Sequence, residues 1–193
     1  MSNIYVILKA AISVDGFLGS KERLIISGPE DREEVLKLRD TVDAVLIGAG
    51  TLRADNPSLL GKSKKPLRVV LSKSADFKPG LNLLNDNQAK TLVFHSNAKF
   101  KDKTEYLYYE QLDLETVLEE LSSRGVQRLL VEGGANVLNQ FYVKGLFNEL
   151  RLSVGSQYLG KQAKPLILDH YRKLKLVEVK ILEQNAVHLY AKC

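Results

Sequence analysis

The chain has 193 residues, 45% of them apolar and 26% charged, with a net charge of +5, an ordinary composition for one domain with a sizeable core. No apolar run approaches the roughly 20 residues of a membrane span, and the start MSNIYVILKA, with a short apolar run ahead of its lysine, lacks a signal-peptide layout, so a cytoplasmic protein is expected. Cys193 is the only cysteine and His95, His170 and His188 lie far apart, which argues against disulfides and a metal site, while scattered basic residues without interleaved aromatics leave room for an anionic small molecule rather than nucleic acid.

Residues 4–11 are a near-continuous apolar run ending at Ser13-Val14-Asp15-Gly16, which reads as a central strand and a turn. Lys9 interrupts it, and a lysine in a buried strand should either snorkel out or face a ligand cavity. Ser27-Gly28-Pro29-Glu30 has helix-start chemistry, with Ser27 as the expected cap, and Val35, Leu38 and Val42 follow at helical spacing. Arg39 falls near the end of that helix. Next, Ala44-Val45-Leu46-Ile47 runs into Gly48-Ala49-Gly50-Thr51, a strand-to-glycine turn in which Thr51 is placed to cap a short helix and to meet a phosphate or amide. Arg53-Ala54-Asp55-Asn56-Pro57 follows, and proline stops the helix near Asn56. Residues 61–65 read as an exposed loop, and 66–71 as a strand ended by Ser72-Lys73-Ser74, two hydroxyls around a lysine that would suit a phosphomonoester.

The pattern predicts strands over 91–94 and 105–109 and a helix over 113–123. A buried strand over 127–131 then reaches Glu132, Gly133 and Gly134 before a helix over 134–143. Glycines at such a turn let a backbone approach a ligand closely, and the first amides of the helix are left free for a phosphate. Beyond Gly145, strands are expected over 146–154, 166–168, 174–182 and 186–191, with Gln184-Asn185 as a hairpin turn. The whole predicts one α/β domain over 1–193. It should have three α/β/α layers around a mostly parallel mixed sheet with antiparallel C-terminal strands.

Three motifs in order, Lys9-Ala10-Ala11-Ile12-Ser13-Val14-Asp15-Gly16, the segment from Gly48 to Pro57, and Val131-Glu132-Gly133-Gly134-Ala135, resemble the pyrimidine reductase of riboflavin biosynthesis. The resemblance covers nearly the whole chain. It implies a dihydrofolate-reductase-like fold, NADPH as cofactor, a homodimer, and reduction of a phosphorylated ribosylamino-pyrimidine to its ribitylamino form. The deaminase signature of the bifunctional bacterial enzymes, His-x-Glu with Pro-Cys-x-x-Cys, is absent, which implies a stand-alone reductase. Position by position, Ala11, Gly48, Gly50, Thr51, Asp55, Ser72 and Lys73 are matched or placed at the cofactor, with Gly133, Gly134, Ala135, Asn136 and Val137 around its phosphates. Arg39 matches the arginine that holds the substrate phosphate, and Asn56, Leu59, Lys62 and Glu132 match positions lining the substrate. Arg23, Ile25 and Lys62 depart from the common pattern and point to a changed substrate pocket.

A hydride delivered to C1′ of the opened ribose asks mainly for positioning. A proton must also reach the sugar, and Glu132 and Lys9 are the candidates for that role, with Asp15 beside them as the acid of the first motif. The alternatives are a dihydrofolate or pterin reductase on the same fold, which the lack of any Trp counts against, and a non-catalytic nucleotide-binding protein. The resemblance leaves open whether the pyrimidine still carries its amino group.

Overall fold

The computed structural model describes residues 3–19, 26–100, 105–160, 163–166 and 168–192. Arg23, Ile25 and Cys193 lie outside them. A nine-stranded sheet forms the middle layer, in the order β10-β11-β8-β1-β7-β3-β4-β5-β6. Its strands are β1 (Tyr5–Ile12), β3 (Ala44–Gly48), β4 (Leu67–Ser72), β5 (Thr91–His95), β6 (Tyr106–Tyr108), β7 (Arg128–Gly133), β8 (Glu149–Gly155), β10 (Leu174–Ile181) and β11 (Asn185–Lys192). A separate pair joins β2 (Phe17–Gly19) to β9 (Lys164–Pro165). The helices are α1 (Pro29–Asp40), α2 (Ala49–Asp55), the single turn α3 (Asn82–Asn85), α4 (Leu114–Ser123) and α5 (Ala135–Lys144).

From β8 to β6 every pairing is parallel, and β11 and β10 continue the sheet antiparallel. The parallel strands are covered on both faces, which is why their sequences read as unbroken apolar runs. One face carries Leu8, Leu46 and Val131 against Val117, Leu121 and Phe141 of α4 and α5. The other carries Ile7, Val45 and Leu130 against Leu38 of α1 and Leu52 of α2. Alternation along β1 thus sends Leu8 to one layer and Ile7 and Lys9 to the other. These two cores are the α/β/α layers that the sequence predicts.

Several local expectations are corrected. The cap of α1 is Gly28, not Ser27, and its amide donates to Asn185 Oδ1 at 2.9 Å, so a contact with β11 sets the helix start. Gly48 caps α2, which puts Thr51 inside the helix. Strand β7 does not stop before the acid but runs through Glu132 to Gly133. Asn185 is the first residue of β11, paired with Gly155, rather than part of a hairpin turn. Pairing near the expected strand over 166–168 falls instead on Lys164 and Pro165; residue 167 lies outside the described residues. Arg68, inside the strand that the sequence predicts over 66–71, is only 1% exposed. Its guanidinium bonds Thr91 Oγ1, Asp86 and the Leu83 and Ala89 carbonyls.

Candidate functional site

The parallel strands deliver their carboxyl ends to one edge of the sheet, where open α/β sheets bind ligands. There the turn after β3 meets the turn after β7. A Cβ at Gly134 would stand 3.0 Å from Thr51 Oγ1, and one at Gly48 would stand 2.9 Å from Val137 Cγ2, so both turns rely on glycine to come this close. A Cβ at Gly50 would meet nothing within 4 Å, which leaves that backbone open on its free side. Gly133 has φ +113° and the Gly133–Gly134 peptide is cis. Gly134 caps α5 without a side-chain hydrogen bond to the helix's first amides, and the earliest backbone bond runs from the Val137 amide to the Gly134 carbonyl. This cradle fits a dinucleotide phosphate.

A cavity of about 490 Å³ opens beside the cradle, between Gly48, Gly50, Thr51, Ser72, Lys73 and Gly134 to Val137. Lys73 is exposed at its rim, and Arg53 and Lys164 add positive charge. Ser72 is buried, with its Oγ accepting from the Ala75 amide. Asp113 also lines the cavity, but its carboxylate caps α4 through the Thr116 amide. A second cavity of about 430 Å³ is walled by Lys9, Ala11, Asp31, Asp55, Glu132 and Gly133. The two share Gly50, Thr51, Gly134, Ala135 and Lys164, so they adjoin across the cradle. A larger cavity of about 730 Å³, around Arg68, Phe77 and Tyr106, lies apart from these turns.

Two polar assemblies stand at the second cavity. Glu132 takes Arg39 Nε on Oε1 and Nη2 on Oε2, both at 2.7 Å, and Arg39 Nη1 donates to the Leu60 carbonyl at 3.0 Å. This bidentate pair fixes the carboxylate plane. Lys9 Nζ donates to Ser153 Oγ at 2.6 Å and lies 3.4 Å from Asp31, while Ser153 Oγ donates to Asp31 Oδ1. All three side chains are buried. Burial pushes the Lys9 ammonium below the usual lysine range against the pull of Asp31 and Glu132, and Arg151 adds to the depression.

Other expected site residues lie elsewhere. Asp15 lines neither cavity and instead accepts from Ser13 Oγ and the Leu159 and Gly160 amides. Desolvation opposes its charge, but those three donors hold its carboxyl below the usual carboxylate range. Leu59 is 1% exposed and packs in the core beside α1, so it offers a substrate no surface. Asn56 spends its side chain on the Gly80 carbonyl and the Asn82 amide, tying down the segment before α3. Lys62 pairs with Glu33 on the surface, and hydrogen bonding to that carboxylate raises its ammonium above the usual lysine range. Arg39 lines neither cavity because its guanidinium is turned onto Glu132 and Leu60. Asp31 and Lys164 were not singled out in the sequence. Asp31 sits in a charged helix start and Lys164 in a mixed loop, and neither setting has a periodicity that marks a ligand wall.

A protein-family model described as the RibD C-terminal domain matches residues 4–188. The chain is 31% identical to the 2,5-diamino-6-ribosylamino-4(3H)-pyrimidinone 5′-phosphate reductase of Archaeoglobus fulgidus over 93% of each chain. Against the Methanothermobacter thermautotrophicus protein of the same name it is 32% identical, over 84% of this chain and 83% of that one. Among solved structures, Acinetobacter baumannii RibD superposes with a TM-score of 0.85 at 25% identity. That match covers 98% of this chain and 58% of the RibD chain.

Proposed function

Because the chain belongs to the RibD C-terminal domain family, we propose that it is the NADPH-dependent reductase of riboflavin biosynthesis acting on 2,5-diamino-6-ribosylamino-4(3H)-pyrimidinone 5′-phosphate. The observation that carries the reading is the pair of adjoining cavities that share Gly50, Thr51, Gly134 and Ala135 as a common wall. One takes a dinucleotide along the glycine turns and the other takes the phosphorylated pyrimidine against Lys9 and Glu132. The relatives that match over most of their own length carry the diamino substrate in their names, which favours the pyrimidine that still has its amino group over the deaminated one.

A bound reduced nicotinamide would supply the hydride for C1′ of the substrate. The chain's part is to hold both reactants, to keep water from the reacting carbon and to provide one proton. Glu132, locked by Arg39, orients the sugar hydroxyls, and Lys9 faces the same space as the proton donor. The phosphate preference rests on Lys73 at the end of β4, with Arg53 and Lys164 nearby. Strand β10 leaves Leu176, Val179 and Ile181 exposed at 51%, 45% and 76% on the sheet edge, and a second copy of the chain is the proposed cover. Light scattering should give twice the 21.6 kDa chain mass.

The test is turnover of NADPH and of NADH with the diamino substrate, its deaminated form and dihydrofolate. Turnover of the diamino substrate with NADPH, and loss of about 1 kcal/mol of NADPH affinity in Lys73→Ala with NADH unaffected, is expected; solvent screens this exposed lysine. Oxidation of NADPH by dihydrofolate alone, or binding without turnover, would overturn the assignment.

A further inference from the structure

Lys9 and Asp31 line two cavities, not one. Besides the 430 Å³ substrate cavity they wall a recess of about 170 Å³ on the far side, beneath α1 and above β8, β11 and β10. The recess mixes charge with an apolar floor: Glu34 from α1, Arg151 from β8, and Glu178 and Lys180 from β10 line it together with Leu38, Val187 and Leu189. It reaches solvent beside the Glu34–Lys180 pair, whose side chains are 31% and 47% exposed. Between cleft and recess stands the buried sequence Lys9 Nζ, Ser153 Oγ, Asp31 Oδ1, with each donor pointed at the next acceptor. The sheet creates it. Lys9 is paired in register with Arg151, so Lys9, Arg151 and Ser153 share the α1 face, and Asp31 enters from the first turn of the helix.

We propose that Ser153 and Asp31 are positioning residues for Lys9: they aim its Nζ into the substrate cavity as an ammonium and return a proton to it from the recess after each turnover. The inference rests on the proposed reductase reaction. In that reaction the C1′–O4′ bond breaks, its electron pair goes to O4′, and O4′ takes one proton to become the 4′-hydroxyl. The C1′=N bond left behind accepts the hydride from reduced nicotinamide. One proton and one hydride are therefore consumed in each turnover. Lys9 Nζ gives the proton and is left an amine; Asp31 then takes a proton from water in the recess and donates it to Ser153 Oγ, whose hydroxyl turns from Asp31 to pass its own proton to the Lys9 amine, which leaves Asp31 a carboxylate and restores the resting bonds. Lys9 Nζ also donates directly to Asp31 at 3.4 Å, and a structural ion pair would account for burial of the two side chains, but it does not require a hydroxyl bonded to both or a shared wall with a solvent-connected recess. Among the described residues, the charged groups facing Nζ are Asp31 from α1, Glu132 from β7 and Arg151 from β8, with Glu34, Glu178 and Lys180 across the recess and Asp55 and Lys164 across the cleft.

The test compares pH profiles of kcat in the wild type, Asp31→Asn, Ser153→Ala and Lys9→Met. NADPH affinity is measured for each, and the Lys9 signal, assigned by its loss in Lys9→Met, is followed by 15N NMR of lysine-labelled protein. With Asp31→Asn the Lys9 signal should titrate at lower pH, because an opposing charge is gone. The alkaline limb of kcat should move with it. Ser153→Ala should lower kcat at least about tenfold, a modest share of what general acid catalysis provides, with NADPH affinity unchanged. Wild-type kcat and an unmoved alkaline limb in Ser153→Ala would overturn the proposal even if Asp31→Asn fails to fold. Full activity in Lys9→Met would instead remove Lys9 from the reaction and with it the role assigned under the reductase reading.

Discussion

The contact between Gly48 and Val137 ties the end of β3 to the first turn of α5 and so sets the width of the cofactor cradle. Gly48 has φ −84°, a conformation open to any residue, so alanine there tests space rather than backbone strain. Its Cβ would stand 2.9 Å from Val137 Cγ2, well inside contact distance. Val137 is 7% exposed and packed in the core, so it has little room to retreat. Gly48→Ala should cost about 1–3 kcal/mol through overpacking. Val137→Ala alone should cost about 1–2 kcal/mol as lost burial and a small cavity. In the double variant the new methyl occupies the space that Cγ2 leaves, so the two losses should sum to at least about 1 kcal/mol more than the double variant shows. Urea unfolding of the four proteins gives this coupling, and fluorescence titration with NADPH should show weaker binding in Gly48→Ala that recovers in the double variant. Simple additivity of the two losses would refute the packing argument.

Arg39→Lys keeps a charge but loses the fork that holds both oxygens of Glu132, so kcat should fall at least about tenfold with NADPH affinity intact. A rise confined to the KM of the phosphorylated substrate would instead return Arg39 to the phosphate, as the family resemblance implies. Arg68→Met should lower stability by about 3–5 kcal/mol in urea unfolding, because it leaves Asp86 and two carbonyls without the buried guanidinium; an unchanged midpoint would refute this. Asp43 Oδ2 accepts the Gln127 and Arg128 amides at the start of β7. Desolvation opposes its charge, yet those amides and Lys64 hold its carboxyl below the usual carboxylate range. A folded value below the unfolded one, near 3.9, gives stability that is complete above that pH and lost as pH falls through the folded value. Acid titration of the unfolding midpoint should therefore be flatter in Asp43→Asn than in the wild type, and parallel curves would contradict the linkage.

The sequence by itself determined the alternation of strands and helices, because parallel strands buried on two faces must read as apolar runs and the helices between them must repeat every three to four residues. It also marked both glycine turns, since backbones can approach so closely only where side chains are missing. Lys9 was visible as an oddity in an apolar run. What it faced was not, because periodicity names the face of an element and not its neighbour across the sheet. Arg39 and Glu132 are 93 positions apart, and Lys9 and Ser153 are 144 apart. Only the tertiary structure decided those partners, through the order that sets β1 between β7 and β8 and the register that pairs Lys9 with Arg151. The same holds for Asn56, which shares a motif with Thr51 and Asp55, and for Leu59 just beyond it. The helix ends at Asn56, whose left-handed conformation at φ 41° turns the chain away, so the two sides of that turn serve different surfaces: one the cleft, the other the core and the segment before α3.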